Sequence, residues 1–219
     1  MANIQDFYET YPSKRFDKGE IILVQGEVPT CTYVVKSGVI KTYNLTAQGE
    51  EKPITFDVVG EMFPIAWAFK KARYAQYYYE AFTDCELYCI PPEDYIAYLK
   101  KNSDDLFESY SGFISQHINH QMRINALEQS KAASKVLYTI HFLCIRFGRD
   151  VREHLVRIEL PLTQQDMANF MGLTRETTGI ELKKLQRAGV LTYKNQNYTV
   201  KTDKLEELLD EDYDQGHIE

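Results

Sequence analysis

The sequence predicts an α+β protein, strand-rich over its first hundred residues and helical beyond them. Three observations carry this. Glycines recur at Gly19, Gly26, Gly38, Gly49 and Gly60, separating short runs rich in Val, Ile, Thr and Tyr. From Leu106 onward the apolar period switches to alternating steps of four and three. Near the C-terminus two short helical segments meet at Gly172 and lead into two strand-like runs.

The strand-like runs are 20–24, 32–36, 39–45 and 52–58. Turn signals at that spacing suggest an all-β sandwich or barrel. A further stretch, 77–82, leads into 86–90, and Pro91-Pro92 then breaks the chain before a short helix over 92–100. The seam Leu106, Tyr110, Phe113, His117, His120, Ile124 and Leu127 places apolar and histidine residues at a and d positions over three heptads. A helix of about 25 residues with such a stripe suits dimerisation; the alternative is a helix packed within one subunit. A second stripe, Phe107, Ile114, Ile118 and Met122, could cover the barrel. His117 and His120 read as polar residues that set register rather than as metal ligands. A second helix spans 132–147 and ends at Gly148. Residues 149–154 read as a charged loop and 157–160 as a short strand.

Thr163 is a good N-cap, supported by Asp166 three residues on. Met167, Ala168 and Met171 give the first short helix an apolar face, and Gly172 supplies a tight turn. Thr174 caps a second helix that runs to Gly189. Two short helices joined by a glycine turn describe a helix-turn-helix. Thr178, Leu182 and Leu185 would face inward, with Arg175, Glu176, Gly179, Ile180, Lys183 and Arg187 on the other side. Such a helix can enter the DNA major groove. Arg175 could then donate to guanine and Glu176 accept from cytosine, while Gly179 allows close approach and Ile180 meets a thymine methyl. Thr163, Gln165, Thr174, Lys183, Lys184 and Arg187 are candidate backbone contacts. Runs 190–193 and 198–201 form a hairpin wing around Lys194-Asn195-Gln196-Asn197, where Asn tolerates positive φ and Lys194 could touch a phosphate.

The net charge of −7 argues at first against nucleic acid, but residues 201–219 hold eight acids against two bases and so account for −6 of it. The four cysteines, Cys31, Cys85, Cys89 and Cys144, read as reduced and mostly buried thiols. No spacing suggests zinc, an iron–sulfur cluster or haem, so no metal is assigned. The first ten residues lack a basic start followed by an apolar run, no segment approaches membrane-spanning length, and a cytoplasmic protein without a signal peptide is expected. No Ser/His/Asp, metal-ligand or phosphate-cradle arrangement stands out, so no enzyme is expected.

The segment LTRETTGIELKKLQRAGVL (173–191) resembles the recognition-helix signature of the cyclic-AMP receptor and fumarate–nitrate reductase regulator (Crp/Fnr) family. The likeness extends to FDKGEIILVQGE (16–27), YVVKSGVIKTY (33–43) and VGEMFP (59–64). It implies a cyclic-nucleotide-binding-like β-roll (double-stranded β-helix) over 1–104, a dimerisation helix over 105–131 and a winged helix-turn-helix over 132–219. It further implies a homodimer on a palindromic double-stranded operator, with RNA polymerase as a partner. Arg175 and Glu176 fall where the family's base-reading pair stands, whereas Ile180 replaces a frequent arginine. Gly60-Glu61-Met62 matches only the turn of the cyclic-nucleotide site, and no Arg-Ser or Arg-Thr pair follows, so the cyclic AMP motif is incomplete. No cofactor is assigned; an unidentified small-molecule effector is the ligand expected, in a pocket of Glu61, Phe63, Trp67, Arg73, Tyr74 and Tyr78. The same aromatics also suit a barrel core. The alternative function is a small-molecule-binding regulatory module that has lost sequence-specific DNA binding.

Overall fold

The protein is described by a computed structural model covering residues 3–194 and 196–216, the last four as backbone only. It forms two compact units, Met1–Gly112 and Phe113–Glu219.

In chain order the first unit holds α1 (Ile4–Glu9), β1 (Ser13–Phe16), β2 (Ile21–Leu23), β3 (Thr32–Ser37), β4 (Ile40–Leu45) and β5 (Glu51–Asp57). These are followed by β6 (Met62–Phe63), α2 (Ile65–Ala68), β7 (Tyr78–Ala81), β8 (Cys85–Ile90) and α3 (Pro92–Lys101). Two four-stranded antiparallel sheets form, ordered β1-β8-β3-β6 and β2-β7-β4-β5. The glycines sit at their turns with φ of +80° to +87°, a region L side chains resist. Gly38 is doubly constrained, because a Cβ there would strike the Asp84 carbonyl and Cys85.

Strand alternation decides what each face buries. On β8, Cys85, Leu87 and Cys89 join Leu23, Tyr33, Ile40, Phe63, Tyr79 and Ala81 in a core inside the roll. Tyr88 and Ile90 face the other way, against Tyr8 of α1 and Tyr95 and Leu99 of α3. The same-face placement of Cys85 and Cys89 follows from their spacing. The expectation of four free thiols does not hold: Cys31 and Cys89 form a disulfide, while Cys85 and Cys144 are free and buried. Antiparallel register sets Tyr33 opposite Cys89 and so brings Cys31, two residues before Tyr33, beside it. Sequence spacing could not show a partner 58 residues away.

Helix α4 (Ser103–Glu128) crosses the division between the units. The second unit continues with α5 (Ala132–Phe147), β9 (Gly148–Arg152), β10 (Leu155–Ile158), α6 (Gln164–Met171), α7 (Arg175–Arg187), β11 (Leu191–Lys194), β12 (Asn197–Lys201) and α8 (Thr202–Gly216). Its sheet runs β11-β12-β10-β9. The stretch expected to be a charged loop is mostly strand β9. All five of its residues are exposed, so no alternation marked it in the sequence. Gly148 does end α5, but with φ −83° rather than a left-handed cap. It is needed because a Cβ would collide with the Cys144 carbonyl and the Val156 side chain. The acidic tail forms α8, which packs its buried Leu205 and joins α5 through a 2.8 Å hydrogen bond from Ser134 to Asp212. Asn195 of the wing turn, and His217 and Glu219 of the tail, lie outside the described residues; the left-handed turn residue described there is Gln196, at φ 62°. No described helix is long and apolar enough to cross a membrane.

Candidate nucleic-acid interface

Helix α6 begins in a reciprocal capping box. The Asp166 amide donates to Thr163 Oγ1 at 3.1 Å, and the Thr163 amide donates to Asp166 Oδ2 at 2.8 Å. Its C-cap is Gly172, left-handed at φ 66°. Two residues on, Thr174 caps α7 by accepting from the Thr177 amide at 3.1 Å. At the far end Val190 donates to the Leu185 carbonyl across Gly189 at φ 70°, a Schellman closure. Each boundary of the pair is therefore fixed by local chemistry.

Between these caps α7 separates its faces. Thr178 and Leu182 are buried and Leu185 is half-buried, sealing the helix onto α6 and α5. On the opposite side Arg175, Glu176, Ile180, Lys183 and Arg187 are exposed, Ile180 at 50%. Gly179 sits between the faces; a Cβ there would meet only Gln164 Oε1, at 3.7 Å. The backbone-contact candidates divide. Lys184 is exposed but ion-paired to Glu181 at 2.8 Å. Gln165 donates to Asn169 at 2.8 Å, and the Thr163 and Thr174 hydroxyls serve the caps. Lys194 is exposed on the wing. The surface can therefore present an arginine, a carboxylate and an aliphatic side chain to base edges, with lysine and arginine flanking them.

Along α4, Leu106, Tyr110, Phe113 and Ile124 are 46% to 60% exposed. His117 and His120 are exposed as well, and Leu127 is half-buried. Of the second stripe, Phe107, Ile114 and Ile118 are also exposed and Met122 is half-buried. The buried residues of α4 are Arg123 and Ala126. The burial of Arg123 carried no signal in the sequence, since a charged residue is ordinarily exposed. Its Nη2 donates to the Phe170 carbonyl at 2.9 Å, and its Cζ stands 3.3 Å from the Phe170 ring centre. Desolvation pulls its pKa down to about 9, so it stays charged at neutral pH.

The six residues expected to form one effector pocket do not come together. Phe63 is core, stacked between Tyr33 and Tyr79 at 5.5 and 4.8 Å. Tyr78 stacks on Tyr43 at 5.3 Å, and Tyr74 is exposed at 52%. Glu61 turns back to accept from the Val58 amide at 2.9 Å, bracing its own turn. Of the six, Trp67 and Arg73 line one cavity together. It is an open cleft of about 560 Å³ also lined by Lys70, Lys71 and Glu93. Lys70 is held left-handed at φ 56° where the chain leaves α2. Among the described residues no group of three or more His, Cys, Asp or Glu side chains is placed to hold a metal ion.

A roll of antiparallel strands, a long helix with an apolar seam and a winged helix-turn-helix define a DNA-binding transcriptional regulator. Comparison with known proteins agrees. Residues 13–102 match the cyclic nucleotide-binding domain and residues 139–210 the Crp-like helix-turn-helix domain. The chain belongs to the Crp/Fnr family of transcriptional regulators. It is 26% identical over 199 residues to the HTH-type transcriptional regulator ArcR of Staphylococcus haemolyticus, covering 90% of this chain and 86% of that one. It is 27% identical over 193 residues to the fumarate and nitrate reduction regulatory protein of Shigella dysenteriae, covering 85% and 74%. The fold matches that of FixK2 from Bradyrhizobium japonicum with a TM-score of 0.74 at 18% identity, over 90% of this chain and 96% of that one.

Proposed function

We propose that the protein is a cytoplasmic, homodimeric regulator that reads a palindromic operator with two copies of α7 and acts on transcription together with RNA polymerase. The observation that carries this is the division of α7. Its inner face is sealed by Thr178 and Leu182, while Arg175, Glu176 and Ile180 stand in solvent between capped ends. Arg175 and Glu176 read a G·C pair, and Ile180 takes the place of a hydrogen-bonding side chain, favouring a thymine methyl at the next position. The exposed seam on α4 supports pairing of two such subunits, because large apolar groups at a and d positions bury themselves in a second helix.

Selection from a random duplex library at two salt concentrations tests this reading. The expected product is an inverted repeat with half-site centres about one helical turn apart, bound more weakly at the higher salt. Absence of any enriched repeat would reject it. Phe113→Glu and Ile124→Glu should each convert the dimer to monomer by light scattering and abolish selection for the repeat; a dimer that survives both changes would rule out this seam.

The cleft beside Trp67 supports an effector site better than the roll interior does, because Phe63, Tyr33 and Tyr79 belong to the hydrophobic core there. Three cations around an indole suit a small organic anion with a flat ring. Trp67 is the chain's only tryptophan, so fluorescence excited at the indole band reports that cleft alone. Titration with an aromatic carboxylate or a nucleotide should quench it in the wild type and not in an Arg73→Ala, Lys71→Ala variant. Equal quenching in both would place the ligand elsewhere.

A further inference from the structure

Arg123 lies on the dimerisation helix, yet its side chain belongs to the DNA-reading half of the molecule. The residue is 7% exposed and Phe170, beneath its guanidinium, is 1% exposed. Phe170 stacks in turn on Phe142 of α5 at 6.1 Å. The carbonyl that Arg123 holds is in the last turn of α6, where carbonyls lack partners within the helix and a cation is favoured by the helix dipole. From Phe170 the chain needs only Met171, the Gly172 turn and Leu173 to reach Thr174, the N-cap of α7. Met171 is fully buried, and Leu173 donates back to the Ala168 carbonyl at 3.0 Å, so this path is short and stiff. Ile124 and Leu127, each next in sequence to one of the buried residues Arg123 and Ala126, carry the end of the seam. One turn of α4 therefore bears both the subunit contact and the grip on the reading head.

We propose that Arg123 is a positioning residue that fixes α7 to the dimer helix and thereby sets the separation of the two recognition helices. The role rests on the DNA-binding reading above. It requires arginine: a planar guanidinium can stack on a ring and donate in its own plane at once, which a lysine ammonium cannot do. An operator that must be gripped at two half-sites is sensitive to this geometry, because simultaneous engagement is lost when the two heads are misplaced.

The test uses the full chain as wild type, Arg123→Lys and Arg123→Met. Light scattering confirms the dimer. Binding is measured on a single half-site, on the full repeat, and by selection from a library with fixed half-sites and variable spacers. The expected result is that Arg123→Met keeps half-site affinity within about twofold, loses about tenfold on the repeat, and accepts several spacers where the wild type accepts one. Arg123→Lys should broaden the spacing to a smaller extent, and it remains informative if the methionine variant does not fold. Hydrogen exchange at Leu173 should speed up in both variants. Wild-type spacing in the variants would overturn the proposal, as would parallel losses on half-site and repeat. If the wild type itself selects no duplex, the DNA-binding reading has failed and the positioning role falls with it. A sharply selective wild type with equally selective variants sinks the positioning role alone.

Discussion

The roll of the first unit and helix α7 of the second treat polar side chains in opposite ways. In the roll several of them are turned onto the protein. Lys41 is 8% exposed, held by Glu51 at 2.6 Å and Glu80 at 3.0 Å, and lies over the Tyr43 ring. Thr42 donates to Asp57, and Glu20, Glu27 and Glu61 each accept from the backbone amide three residues upstream. On α7 the bases and Glu176 are turned outward, and the helix is held by its caps and one apolar face. The contrast separates scaffold from the surface proposed to read DNA. A polar group already satisfied within the fold stabilises it and offers little to a ligand; one left in water adds little stability and is available for recognition.

This contrast can be broken by deliberate substitution. The largest effect is expected at Lys41. Lys41→Met leaves two carboxylates facing each other and should destabilise the protein by about 2–3 kcal/mol in urea unfolding, less than for a fully buried pair because Glu51 reaches solvent. The matching change Lys183→Met on α7 should stay within about 0.5 kcal/mol of wild type and reduce the salt slope of DNA binding by about one. Equal destabilisation by the two would erase the distinction between the units.

Next comes Glu176→Ala, expected to cost about 1–3 kcal/mol of discrimination at one base pair with unfolding unchanged. Sequencing of selected duplexes from the variant checks this; an unaltered half-site would mean α7 does not dock by this end. Gly179→Ala is expected to raise stability by about 0.5–1 kcal/mol, since the helix gains alanine's propensity and the new Cβ meets only Gln164 Oε1 at 3.7 Å. The same methyl should weaken operator binding if the helix approaches bases closely at that point. A variant that is more stable and binds equally well would show that the glycine serves no close approach.

The smallest effect is a pH dependence in the second unit. His141, in a hollow with Tyr138, Leu209 and the acids Glu206 and Asp210, has its pKa lowered by desolvation, against a smaller opposing pull from Glu206. The unfolded chain therefore binds the proton more readily than the folded one. Stability should fall as pH drops through the ordinary histidine value near 6.5 and be retained above it. His141→Gln should flatten that dependence in melts between pH 5 and 8, and an unchanged slope would assign it to another group.

How legible a residue was depended on how far its signal travelled along the chain. The Thr163 and Thr174 caps, the Gly172 turn and the two faces of α7 are set by neighbours within four positions, so spacing alone revealed them. Helix α5 was bounded correctly because its stripe and terminal glycine are local. Strand β9 was missed because it lacks an apolar alternation and is a strand only through pairing with β10. The aromatic group around Phe63 was visible as a composition, but chemistry alone could not sort core from cleft. Antiparallel register sent Phe63 and Tyr79 inward and left Trp67 and Arg73 beside Lys70.

The sequence by itself determined the α+β order of elements, the Crp/Fnr resemblance and which face of α7 is exposed. Those features repeat at the periods of helix and strand and are stabilised within a few residues. Tertiary structure alone decided the Cys31–Cys89 bond, the Lys41 triad, the scattering of the expected pocket and the burial of Arg123 against Phe170. Each of these joins residues far apart in sequence, and which distant groups meet is fixed only when packing and register close the chain.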